Sequence, residues 1–165
     1  MKKNLLSIVF AIASLIAFSQ EKENNKPPYL QVPYLPPFNI VLTDSSVFTK
    51  NDLPENKNTV IIYFNTDCGH CKDLIKHITD SINIVPNTFF VLACFNKMEE
   101  LTAFEEKFSL KNFENIRAGR DEKYFLPSFY KVRFTPFTAI YNKKGNLIKA
   151  YENGFSMAVL KKIIK

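Results

Sequence analysis

Residues 59–71 constrain the fold more than any other part of the chain. Thr59-Val60-Ile61-Ile62-Tyr63-Phe64 is a continuous apolar, β-branched run, the mark of a strand covered on both faces. A short polar stretch leads into Cys68-Gly69-His70-Cys71. From Cys71 to Ile82 the apolar residues Leu74, Ile75, Ile78 and Ile82 then recur at helical spacing. A strand covered on both faces needs a layer above and a layer below it. A second buried run, Thr88 to Phe95, follows the helix, so the two strands are expected to be parallel and joined by a right-handed crossover.

The remaining periodicities extend this into an α/β sandwich with a mixed sheet flanked by helices. Phe38 to Leu42 and Val47 to Thr49 flank Thr43-Asp44-Ser45-Ser46, a hairpin signal near the start of the domain. Glu99 to Phe108 reads as a helix that aligns Leu101, Phe104 and Phe108. A short helix is expected around Glu122 to Val132, with Pro127 in its first turn or at a kink. Phe137 to Tyr141 and Leu147 to Tyr151 form a second hairpin around Asn142 to Asn146, which adds antiparallel strands. Ser156 is placed to N-cap a closing helix through Ile164. The 165 residues suit one domain, and 46% hydrophobic against 23% charged residues excludes disorder of the whole chain. Trp is absent and Phe numbers 16, so aromatic packing rests on Phe and Tyr.

The N-terminal residues read as a secretory signal rather than as part of the fold. Met1-Lys2-Lys3 is basic, Leu5 to Phe18 is apolar apart from Ser7 and Ser14, and Ala17-Phe18-Ser19 offers small residues at a cleavage site. The alternative is an uncleaved anchor, but the apolar run falls short of the ~20 residues that span a bilayer. Cleavage after residue 19 leaves no stable membrane span and implies an exported protein, periplasmic or extracellular and bacterial. Residues 20–36 form a Pro-rich extension that includes Pro27, Pro28, Pro33 and Pro36, expected as an extended tether or edge segment. Tyr29, Leu30, Val32, Tyr34 and Leu35 suit it to lie on the domain of residues 37–165. A net charge of +6 without any Lys/Arg-rich block argues against a nucleic-acid partner.

Chemistry is expected at Cys68 and Cys71. Residues three apart share a helix face, so the two thiols can close a small disulfide ring. Cys68 would stand at the helix N-terminus, where unpaired N–H groups and the dipole stabilise a thiolate, and Cys71 one turn further in. Cys68 is therefore the expected nucleophile and Cys71 the resolving thiol, with His70 as a titratable neighbour that tunes the pair. Zinc uses the same spacing but needs four ligands. The spare candidates are His70, His77, expected to face solvent, and Cys94, expected inside the second buried strand as a small hydrophobe. A metal-binding module that uses the CxxC without redox turnover, for zinc or copper, is the alternative reading. A copper carrier with CxxxC spacing and a distant His is disfavoured by the CxxC and by the lack of any His after His77. A peroxidase would need Pro and Thr where Ile61 and Asn65 stand. Two intact cysteines argue against a binding protein that has lost turnover. No cofactor is expected.

From Pro37 to Lys165 the chain resembles the thioredoxin superfamily, and more narrowly the exported TlpA/ResA-like thioredoxins. The resemblance rests on the leading hairpin, the strand Val60 to Asn65, the CGHC, and Phe134-Thr135-Pro136-Phe137-Thr138. It implies a thioredoxin-like fold with an N-terminal β-hairpin extension. It also implies a thiol–disulfide oxidoreductase acting on protein thiols or disulfides with a redox partner yet to be identified. Pro136 matches the family's cis proline, which with Thr135 faces the disulfide and holds the substrate backbone. Two positions depart from thioredoxin itself. Asp67 replaces the Trp before the first Cys, and Ile62 replaces the buried acid that helps move the proton of the resolving thiol. The Gly-His dipeptide is that of protein disulfide isomerase, whose potential is about −180 mV against about −270 mV for thioredoxin.

Overall fold

The computed structural model describes residues 26–164. The expected signal peptide (1–19) and the first part of the Pro-rich extension (20–25) lie outside the described residues. A short helical turn α1 (Pro28–Gln31) precedes the hairpin β1 (Asn39–Val41) and β2 (Val47–Thr49). The expected strand is β3 (Asn58–Tyr63), followed by α2 (Gly69–Ser81), β4 (Thr88–Cys94) and α3 (Met98–Lys107). Then come β5 (Ile116–Arg120), α4 (Phe125–Tyr130), β6 (Phe137–Tyr141), β7 (Leu147–Tyr151) and α5 (Met157–Ile163). The seven strands make one mixed sheet in the order β2-β1-β5-β4-β3-β6-β7.

Every residue of β3 and β4 is buried, which explains the unbroken apolar composition of both. They pair in parallel, Asn58 with Thr88 through to Tyr63 with Ala93, as the crossover through α2 requires. On the other side β3 pairs antiparallel with β6, which in turn pairs antiparallel with β7. Alternation along β3 divides the core in two. Val60, Ile62 and Phe64 meet Leu74, Ile75 and Ile78 of α2, Leu101 and Phe104 of α3 and Leu160 of α5. Ile61 and Tyr63 face Phe38, Leu126, Tyr130 and Phe137 on the opposite side.

Three sequence expectations need correction. No strand was expected at β5, yet it pairs parallel to β4 and joins the leading hairpin to the sheet through Val41 and Arg120. With two arginines and a glycine in five residues it carries no apolar run to betray it. The helix expected from Glu122 begins only at Phe125, because the buried Asp121 carboxylate accepts the amides of Phe125 (3.1 Å) and Leu126 (2.7 Å) and sets its start. Pro127 falls in that first turn, where a missing N–H costs nothing. The Pro-rich extension is not extended throughout: Pro28–Gln31 is helical, and Tyr29 packs edge-on against Tyr130 and Phe137 at 5.6 and 5.8 Å. Pro33 to Leu35 then pairs with the β6–β7 turn, Leu35 N–H donating to the Gly145 carbonyl and Leu147 N–H to that of Pro33, both at 2.8 Å.

Gly119 is the position where β5 tolerates nothing larger. A Cβ there would lie 2.8 Å from Cδ1 and 2.9 Å from Cβ and Cγ1 of Ile40, which is itself fully buried. Gly119→Ala should therefore cost about 1–3 kcal/mol by overpacking. The measurement is a lowered urea midpoint at unchanged slope; an unaltered midpoint would show that Ile40 can give way.

Candidate active site

The site forms where β3 runs into α2. Cys68 is the N-cap of α2 with an extended backbone, φ −71° and ψ 119°, and its Sγ accepts the N–H of Cys71 at 3.2 Å. That is the place a Ser or Asp side chain usually fills; here sulfur takes the orphan donor. The Asn65 carbonyl accepts the Cys68 N–H at 3.2 Å, and Asn65 Oδ1 accepts that of Asp67 at 2.8 Å, so the loop is folded on its own backbone. Thr135 approaches from the start of β6. Its carbonyl accepts from the Cys68 thiol at 3.4 Å, and the bond joining it to the buried Pro136 is cis.

The two cysteines are free thiols in very different surroundings. Burial works against ionising Cys68. Hydrogen bonds from the Cys71 thiol and N–H, the Thr135 hydroxyl and the His70 N–H outweigh it and hold Cys68 below its ordinary value. Burial pushes the Cys71 thiol up to about 12, and its own contact with Cys68 pushes the same way. The other groups acting on it are Asn65 and Thr135, neither a carboxylate. Ile62, in place of thioredoxin's acid, is fully buried in the core beneath. An anion is thus favoured on the outer sulfur and a proton on the inner one.

His70 is exposed on the first turn of α2, and what it directs toward Cys68 is its backbone N–H. His77 is exposed on the same helix. Cys94 is fully buried in β4, where burial also raises its thiol to about 12. Among the described residues no three His, Cys, Asp or Glu side chains converge as a metal site would require, and no helix is long and apolar enough to cross a membrane. The geometry thus brings Cys68, Cys71, the His70 amide, Thr135 and Pro136 together and leaves His77 and Cys94 apart. What sequence reasoning missed is the aromatic rim of the site. Tyr63 ends β3, Phe95 follows β4 and Tyr124 caps the start of α4, and no spacing along the chain signals that they meet.

Labelling should follow this asymmetry. Cys68 is expected to alkylate fastest, with a rate that reaches half its maximum below the ~8.5 of a free thiol as rising pH fills the thiolate. Mass spectrometry of iodoacetamide-treated folded protein reads the order, and Cys94 labelling as quickly as Cys68 would contradict its burial.

The family model of the thioredoxin-like domain matches residues 49–165. A secreted disulfide oxidoreductase of Mycobacterium tuberculosis, homologous to E. coli DsbE, superposes with a TM-score of 0.64 at 18% identity, over 77% of this chain and 93% of its own. A thiol:disulfide interchange protein of the thioredoxin family from Chlorobium tepidum gives 0.65 at 16% identity, over 84% and 94%. A peroxiredoxin-like protein from Aquifex aeolicus gives 0.63 at 14%, over 79% and 83%, so the fold alone does not choose the chemistry. No curated protein matches the chain in sequence. With more than two thirds of its length matched by the family model and its sheet shared with these structures, the chain belongs to the thioredoxin-like domain family.

Proposed function

We propose that the chain is an exported thiol–disulfide oxidoreductase of the TlpA/ResA-like kind, working through Cys68 and Cys71. In this reading residues 1–19 are a signal peptide, residues 20–36 an extension and residues 37–165 the catalytic domain. The observation that carries it is the paired environment of the two sulfurs, one capping the helix with hydrogen bonds that favour its anion, the other buried and protonated. In the reductive direction the Cys68 thiolate attacks one sulfur of a substrate disulfide. A mixed disulfide forms and the other substrate sulfur leaves as a thiolate. Cys71, once deprotonated, attacks Sγ of Cys68, and the second substrate thiolate leaves. The enzyme ends with a Cys68–Cys71 disulfide, having given two electrons, and the two protons finish on the substrate thiols. The reverse sequence oxidises a dithiol. In this reading Thr135, whose carbonyl lies 3.4 Å from the Cys68 sulfur, and Pro136, joined to it by a cis bond, are the substrate-binding residues that hold the substrate backbone. A metal-binding role would need two further ligands to join the cysteines, and among the described residues His70, His77 and Cys94 do not converge with them into such a cluster.

Cys71→Ser should accumulate mixed disulfides with substrate proteins, because the resolving sulfur is gone, and Cys68→Ser should accumulate few. Non-reducing gels of the tagged variants measure this, and equal trapping by both would reverse the assigned roles.

His70→Pro should make the protein more reducing. Proline removes both the imidazole and the N–H aimed at Cys68, so the thiolate is less stabilised, the reduced form is less favoured and the potential falls. For this two-electron couple 30 mV corresponds to about 1.4 kcal/mol, a shift that glutathione titration resolves. His70→Ala keeps the N–H and should move the potential less. An unshifted potential in the proline variant would remove His70 from the tuning of the pair.

A further inference from the structure

The face that carries Cys68 also holds a cavity that the exchange chemistry leaves unused. It has a volume of about 290 Å³ and lies at the ends of β3 and β4, lined by Tyr63, Phe95, Asn96 and Tyr124 together with Asn65 and Thr135. The last two are the residues whose carbonyls contact the Cys68 amide and thiol, so the cavity is continuous with the site. A larger cavity of about 360 Å³ beside Glu105 shares no residue with the site.

The walls of the smaller cavity are aromatic. Phe95 and Tyr124 meet at 5.2 Å and Tyr63 and Tyr124 at 6.4 Å, both edge to face at 86°. Phe95 and Tyr124 are nevertheless 46% and 51% exposed, and Phe134, next to Thr135, is 66% exposed. Tyr63 is 5% exposed, and its hydroxyl is shielded from solvent without a hydrogen-bond partner among the described residues. Native proteins rarely leave a buried hydroxyl unpaired. Charges of both signs stand beside the cavity. The Arg120 guanidinium lies 5.4 Å from the centre of the Phe95 ring, and the Asp121 carboxylate acts on Tyr63. Burial first, then Tyr124 and Asp121, keeps the phenol neutral, able both to donate and to accept.

We propose that this cavity is a specificity pocket for a tyrosine beside the reacting cysteine of the substrate polypeptide. The inference rests on the exchange reading of Cys68. The incoming ring packs against Phe95 and Tyr124 in the edge-to-face manner the walls already use. Rotation of the half-exposed Tyr124 ring uncovers the Tyr63 hydroxyl, which pairs with the hydroxyl of the substrate tyrosine. A flanking phenylalanine gains the ring contact and not the hydrogen bond; a flanking alanine gains neither.

The test uses the reduced protein and three disulfide-linked peptides that differ only in having Tyr, Phe or Ala next to cysteine, on either side. Second-order rates of reduction should rank Tyr above Phe above Ala, with Tyr ahead of Phe by about three- to tenfold for one hydrogen bond. In Tyr63→Phe, which removes only the unpaired hydroxyl and keeps the ring, the Tyr-to-Phe ratio should fall to near one. In Phe95→Ala, a change at a partly exposed residue, the advantage of both aromatic peptides over alanine should shrink. Equal rates for the three peptides, or a Tyr-to-Phe ratio that survives Tyr63→Phe, would overturn the pocket while leaving the exchange chemistry standing. Failure of all three peptides to react would overturn the exchange reading and the pocket with it.

Discussion

The structure depends on β3 being hydrogen-bonded along both edges and covered on both faces. Such a strand has no freedom of register, because a slip of one residue would exchange the two halves of the core. The register in turn assembles the site. Tyr63, the last residue of β3, is paired with Phe137, the first of β6. The segment that leaves β3 and the segment that enters β6 therefore emerge side by side, one carrying Cys68 and the other Thr135 and Pro136. Two stretches nearly seventy residues apart in sequence meet because one antiparallel pairing is fixed.

The same interior sets the chemistry. Cys71 and Cys94 lie in one apolar core with Ile62, where ionisation is disfavoured, and Cys68 lies at its margin, where backbone N–H groups are available. The difference between the Cys68 and Cys71 sulfurs thus comes from one turn of helix and from burial. The substitution of Ile62 for an acid has a definite meaning in this light. It gives the core another β-branched side chain and puts an apolar group in the core with Cys71 where thioredoxin has an acid.

Much of this was legible in the sequence, and for identifiable reasons. β3, α2, β4 and the β6–β7 hairpin each carry a strong signal, an unbroken apolar run, a 3.6-residue stripe or a Gly-bearing turn. The CxxC stood out because its position between strand and helix was readable too. β5 was not legible, because Arg117, Gly119 and Arg120 are selected by neighbours contributed from elsewhere: Phe89 beneath the Arg117 guanidinium, Ile40 against Gly119 and Phe95 beneath Arg120. The late start of α4 was hidden for a similar reason, since Asp121 acts as a cap five residues ahead of the amide it holds most tightly. The aromatic rim at the site is tertiary altogether.

The segment Pro33 to Leu35 bears on more than the packing of the extension. Among the described residues β7 is the outermost strand on its side of the sheet, and its outer row of amides and carbonyls could template another chain. Tyr34 bridges to Asn146 at the start of that row, and Pro33 and Pro36 on either side of the bridge cannot lengthen the pairing. Further along, exposed Lys149 and the irregularity between Ile140 and Tyr141 interrupt the edge again. The consequence is a sheet that ends where it does. An extended polypeptide that meets this edge is kept from adding its own strand to the sheet.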